Sequence, residues 1–73
     1  MTQLDAEAEV ARLRQALELI ASTWCALARE IGEKSERLYK LGEHQRVVAL
    51  DARSAAVETC ARELRQTLRE AQP

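Results

Sequence analysis

The stretch Glu30-Ile31-Gly32-Glu33-Lys34-Ser35-Glu36-Arg37-Leu38-Tyr39-Lys40-Leu41-Gly42-Glu43 decides the fold, because it carries both glycines of the chain and either is a candidate turn. Gly32 followed by Ser35 has the form of a helix stop and a new N-cap. Against that stand three successive i,i+4 pairs in the favourable orientation: Glu30→Lys34, Glu33→Arg37 and Glu36→Lys40. The first of them meets only if the helix runs on through Gly32. Three such pairs at roughly 0.3 kcal/mol each offset most of the ~1 kcal/mol cost of an interior glycine. Gly42, by contrast, follows Arg37 and Lys40, the basic last turn that a helix C-terminus favours. The sequence therefore predicts a first helix over about 3–41, a turn at about 42–43 and a second helix over about 44–71.

The apolar periodicity on either side supports this division. Upstream, Ala6, Val10, Leu13, Leu17, Ile20, Trp24, Leu27 and Ile31 are spaced 4, 3, 4, 3, 4, 3, 4, a heptad seam with Val10, Leu17, Trp24 and Ile31 at a and Ala6, Leu13, Ile20 and Leu27 at d. It continues at Leu38 and Leu41, with Lys34 its one polar intruder. Thr2 or Asp5 is placed to cap the start, and Pro73 closes the second segment. Downstream, Val47, Leu50, Ser54, Val57, Ala61, Leu64, Leu68 and Ala71 keep the same spacing, with Glu58→Arg62 in support. A turn at Gly42-Glu43 pairs residues whose numbers sum to about 85: Trp24 with Ala61, Ile31 with Ser54, Leu38 with Val47, and Lys34 opposite Asp51. Large side chains then face small ones, as interdigitating helices require.

Composition agrees with an all-α, coiled-coil-like hairpin. Thirteen Ala, ten Leu, ten Glu and nine Arg make up more than half of the 73 residues, and aromatics are 3%. That excludes a small β-barrel or sandwich, and 47% hydrophobic residues exclude a disordered tail. A net charge of −1 excludes a generically basic nucleic-acid binder. No apolar run approaches the ~18 residues of a membrane span, and Met1-Thr2-Gln3-Leu4-Asp5 lacks the basic start of a signal peptide. A cytoplasmic protein with reduced thiols is the expectation, without a membrane partner.

Residues that carry chemistry are few. His44 is the only histidine, and Cys25 and Cys60 lack a Cys-x-x-Cys partner, so no catalytic or metal site and no cofactor is expected. The numbers 25 and 60 also sum to 85. The two thiols therefore share a level of the hairpin, and oxidation is expected to favour their link, within a chain or between paired chains. Arg62, Arg65 and Arg69 step by 3 and 4 along one face of the second helix, a candidate nucleic-acid face diluted by Glu58, Glu63 and Glu70.

The segment Ala16 to Ala28 is apolar on most of its circumference. Its seam needs only Leu17, Ile20, Trp24 and Leu27, which leaves Leu19 and Ala26, seven apart, on another face. A hairpin covers one stripe of a helix, and a chain this short seldom stabilises a lone core. The expected architecture is thus a homodimer of hairpins forming a four-helix bundle, in contact through Leu19 and Ala26. Trp24 and Tyr39 are candidate anchors for an unidentified protein partner. The expected function is non-catalytic: a small homodimeric adaptor, regulator or inhibitor. The alternative is a nucleic-acid-binding regulator using Arg62, Arg65 and Arg69.

Overall fold

The computed structural model describes residues 2–71. They form two helices, α1 (Gln3–Lys40) and α2 (His44–Glu70), packed antiparallel as a hairpin. Pro73, expected to close the second segment, lies outside the described residues.

α1 begins at a capping box. The Thr2 hydroxyl accepts from the Asp5 amide at 3.2 Å, and the Asp5 carboxylate accepts from the Thr2 amide at 3.3 Å. Two of the amides that a helix start leaves without partners are thereby satisfied. The helix passes through Gly32 without a break. Of the three ion pairs that argued for continuity, only Glu36–Lys40, at 3.8 Å, meets within ionic reach. Continuity owes more to α2: Gly32 lies alongside Ser54, where a Cβ would come no closer than 4.0 Å to the hydroxyl oxygen.

Gly42 is the turn. Its φ of +82° lies in the left-handed region that L side chains seldom enter. The Gly42 amide donates to the Tyr39 carbonyl and the Glu43 amide to the Leu38 carbonyl, each at 3.0 Å. These are the two reverse bonds of a Schellman ending. At the far end, Arg14 reaches across from α1 and donates to the Leu68 carbonyl at 2.7 Å. The cation meets a carbonyl in the last turn of α2, where the helix dipole favours positive charge.

The register follows the expected pairing sum of about 85, since Ser35 donates to Asp51, Ser54 to the Ala28 carbonyl, and Arg65 to Ser22. Two details differ from expectation. Asp51 is engaged by Ser35 rather than by Lys34. More importantly, α1 turns only one edge of its a/d seam towards α2: the a residues Trp24, Ile31 and Leu38 are half-buried, whereas the d residues Leu13, Ile20 and Leu27 stay exposed. Its buried residues are Ala21, Ala28 and Ser35, spaced by seven one position beyond the d sites, with Trp24, Cys25, Ile31, Gly32 and Leu38 half-buried beside them. α2 presents the stripe read from its sequence: Ala61 and Leu68 buried, and Val47, Leu50, Ser54, Val57 and Leu64 half-buried. The reason is steric. Small side chains let two backbones approach closely, and only a close approach lets the Ser54 hydroxyl reach the Ala28 carbonyl at 2.9 Å. Leucines between the helices would hold them apart.

The two glycines give opposite tests. Gly32→Ala replaces a helix-interior glycine where space is free and is expected to stabilise by up to ~1 kcal/mol. Gly42→Ala forces a Cβ into left-handed backbone and is expected to destabilise by about 1 kcal/mol. Thermal unfolding followed by circular dichroism checks both, and equal signs would contradict the assignment of the turn.

Candidate interaction surfaces

Rotating α1 onto its small residues leaves the large ones uncovered. Val10 and Leu13 are each 56% exposed, Leu27 43%, Ile20 40% and Leu17 37%. Helix geometry places them on one flank of the hairpin contact, in line with half-buried Trp24 and Ile31. Val10 and Leu13 lie further out still, past Arg14, which already meets the last turn of α2. Among the described residues no large side chain is fully buried. The core consists of Ala21, Ala28, Ala61 and Leu68.

The opposite flank is polar. Glu18, Ser22, Arg65, Leu68 and Arg69 line an open cleft there, which continues along Cys25, Glu58 and Arg62. Arg62 pairs with Glu58 at 3.3 Å and Arg65 donates to Ser22 at 3.2 Å. Arg62, Arg65 and Arg69 thus line one groove, and two of them are already engaged by neighbours within the hairpin. Glu18 and Glu58 line the same groove, so its charge is mixed.

The sequence-derived contact residues scatter. Leu19, 68% exposed, and Ala26, also exposed, lie together on the back of α1, about a quarter-turn round the helix from Ile20 and Leu27. Trp24 is half-buried at the edge of the contact with α2. Tyr39 is 61% exposed near the turn, its ring edge-on to His44 at a centroid separation of 5.4 Å. The structure does not bring Tyr39 and the Leu19–Ala26 face into one patch. The stripe that sequence reading had assigned to α2, Leu13, Leu17, Ile20 and Leu27, is the continuous apolar surface. The sign of this in the sequence was the second heptad of small residues, Ala21, Ala28 and Ser35, beside the first.

Cys25 and Cys60 are both free thiols, Cys25 half-buried and Cys60 exposed. Cys25 lines the polar groove together with Glu58 and Arg62. Cys60 lies two residues from each of those, which turns it towards the other side of α2. The two thiols thus share a level of the hairpin without being joined. Among the described residues no three His, Cys, Asp or Glu side chains gather into a metal-holding group, and no helix is long and apolar enough to cross a membrane.

Fold and surfaces together define a class, the antiparallel helical hairpin with one polar and one apolar flank. No family model, curated protein or solved structure matches the chain.

The placement of the thiols is testable by mass mapping. Under mild oxidation a Cys25–Cys60 bridge within one chain is not expected to form, and a brief alkylation pulse is expected to modify Cys60 before Cys25. Ready formation of the intrachain bridge would mean that the helices rotate or slide relative to the arrangement described.

Proposed function

We propose that the protein is a non-catalytic helical interaction module that self-associates as a homodimer of hairpins, four helices in all, and presents its remaining helix faces to a partner protein as an adaptor, regulator or inhibitor. The observation that carries this reading is the smallness of the internal core among the described residues. The side chains excluded from water between α1 and α2 are mostly Ala and Ser, while five large aliphatic residues of α1 line an exposed stripe. Burying a leucine-sized side chain contributes on the order of 2 kcal/mol. A lone hairpin forgoes most of that gain in a chain already short of buried surface. Exposed contiguous apolar surface of this kind marks association with protein.

Two apolar regions serve the two associations that the reading requires. One is the leucine stripe, and the other is the Leu19–Ala26 face, with Tyr39 as a separate exposed anchor. Sedimentation velocity over a concentration series tests the first requirement. A species of twice the 8.2 kDa chain mass is expected to persist at micromolar concentration. A stably folded monomer at tens of micromolar would overturn the homodimer and leave the apolar stripe to a heterologous partner.

The second reading, a nucleic-acid-binding regulator, is favoured by one observation, the convergence of Arg62, Arg65 and Arg69 on a single groove. If three arginines met phosphates, the logarithm of affinity for duplex DNA would fall against log salt with a slope of about −3. The expected outcome is no measurable binding to generic duplex DNA or RNA at physiological salt. A slope near −3, lost when all three arginines are replaced by Ala, would transfer the function to this groove.

A further inference from the structure

We infer that the leucine stripe of α1 is the seat of a second copy of this chain, docked antiparallel, α1 against α1, so that Leu17 packs on Ile20 of the second copy, Leu13 on its Trp24 and Val10 on its Leu27. The inference rests on the self-association proposed above and adds which face is used, in which direction and in which register.

Area is the first argument. A compact protein of 8.2 kDa exposes about 4,500 Å², whereas this hairpin exposes 5912 Å². Its Cα radius of gyration is 17.3 Å, against about 11 Å for a compact domain of this length. The surplus, about 1,400 Å² per chain, exceeds the ~800 Å² that each partner contributes to a standard stable interface. One further copy therefore has ample surface to cover.

The order of residues supplies the direction and the register. From Ala6 to Ile31 the apolar seam has intervals of 4, 3, 4, 3, 4, 3, 4, which read the same from either end. A reversed second copy consequently sets every seam residue against another, with a sites facing d sites in the manner of knobs entering holes. The two-fold axis falls between Glu18 and Leu19 along the helix, and each contact occurs twice, as a self-complementary interface requires. Polar residues flank this palindromic stretch of the seam, Gln3 before Ala6 and Lys34 between Ile31 and the continuation at Leu38 and Leu41. The antiparallel register places Gln3 and Lys34 opposite each other, so Lys34 stays out of the apolar zone. A parallel pair in register would instead set Lys34 against Lys34. The same register covers Val10 and Leu13, which extend past the last turn of α2, with residues near Trp24 and Leu27 of the second copy.

The flanks explain why this face is available. The other side of the hairpin is crossed by Arg65–Ser22 and lined by Glu18, Glu58 and Arg62. Side chains there already have polar neighbours, whereas the other flank presents Leu17, Ile20 and Leu27 exposed at the same level.

Two measurements test the inference. In sedimentation, Ile20→Glu is expected to raise the dimer dissociation constant by about 100-fold or more, because each copy would bury an unpaired carboxylate. Leu19→Glu and Ala26→Glu, on the back of α1, are expected to leave it within a few-fold. In a Cys25→Ser, Cys60→Ser background, spin labels at Arg12→Cys are expected about 20 Å apart along the dimer axis and labels at Arg37→Cys about 55 Å apart, from 1.5 Å of rise per residue. A parallel dimer would give short distances at both sites and overturn the direction. A dimer that survives Ile20→Glu and dissociates with Leu19→Glu and Ala26→Glu would overturn the face while keeping the self-association reading. If Ile20→Glu unfolds the chain, the label distances, measured with the seam intact, decide alone. A monomer at every accessible concentration would overturn both the inference and the homodimer on which it rests.

Discussion

The close approach of α1 and α2 at Ala28 and Ser54 is the constraint on which the remaining structure depends. A serine hydroxyl that reaches a carbonyl of the facing helix cannot have a leucine between the two backbones. Ala21, Ala28 and Ser35 on α1, with Ser54 and Ala61 on α2, make that proximity sterically permissible along the hairpin. Once they face inwards, the rotation of α1 about its own axis is set, because residues of one helix turn together. The leucines must then stand on a flank. The exposed stripe is therefore the consequence of choosing small residues for the intramolecular contact.

This explains which parts of the fold were legible in the sequence. The turn was, since Gly42 combines a basic preceding turn with the one residue type that tolerates a φ of +82°. The N-cap was, because Thr2 and Asp5 stand at capping-box spacing. The register followed from the turn. The facing stripe of α2 was also legible, because that helix carries a single apolar seam. The facing stripe of α1 was legible only in part, in its half-buried a residues Trp24, Ile31 and Leu38. That helix carries two heptads side by side, large residues at a and d and small ones next to them, and periodicity alone reports that both exist. Which one meets α2 is decided by how near the backbones come, a property of the pair and not of either segment. The same gap hid the exposed stripe: Leu13 and Ile20 belong inside by the rule that leucines go inside, yet both stand in contact with water.

The asymmetry of the two flanks limits what can assemble. One flank has its polar groups engaged across the helices, as Arg65 is with Ser22, and carries charges of both signs. The other is aliphatic from Val10 to Leu27. A module with one adhesive flank closes on itself when a copy covers it, whereas two adhesive flanks would propagate a filament. The few surface ion pairs, Glu9–Arg12 among them, contribute little to stability and serve mainly to keep the outer faces solvated.

The first three turns of α1, up to Leu13, run past the last turn of α2, to which Arg14 ties the longer helix. An isolated helix of that length is marginal in water even when well capped. In a lone hairpin its backbone hydrogen bonds would open with little free energy, and its amides would exchange at close to the rate of an unstructured peptide. A macromolecule that covered Val10 and Leu13 would hold these turns closed, raising the free energy of their local opening. The chain would thereby convert occupancy into protection: a protease that finds the N-terminal turns frayed in the unaccompanied protein finds them closed once the apolar flank is filled. Resistance of these turns to proteolysis would then report whether the apolar flank is occupied.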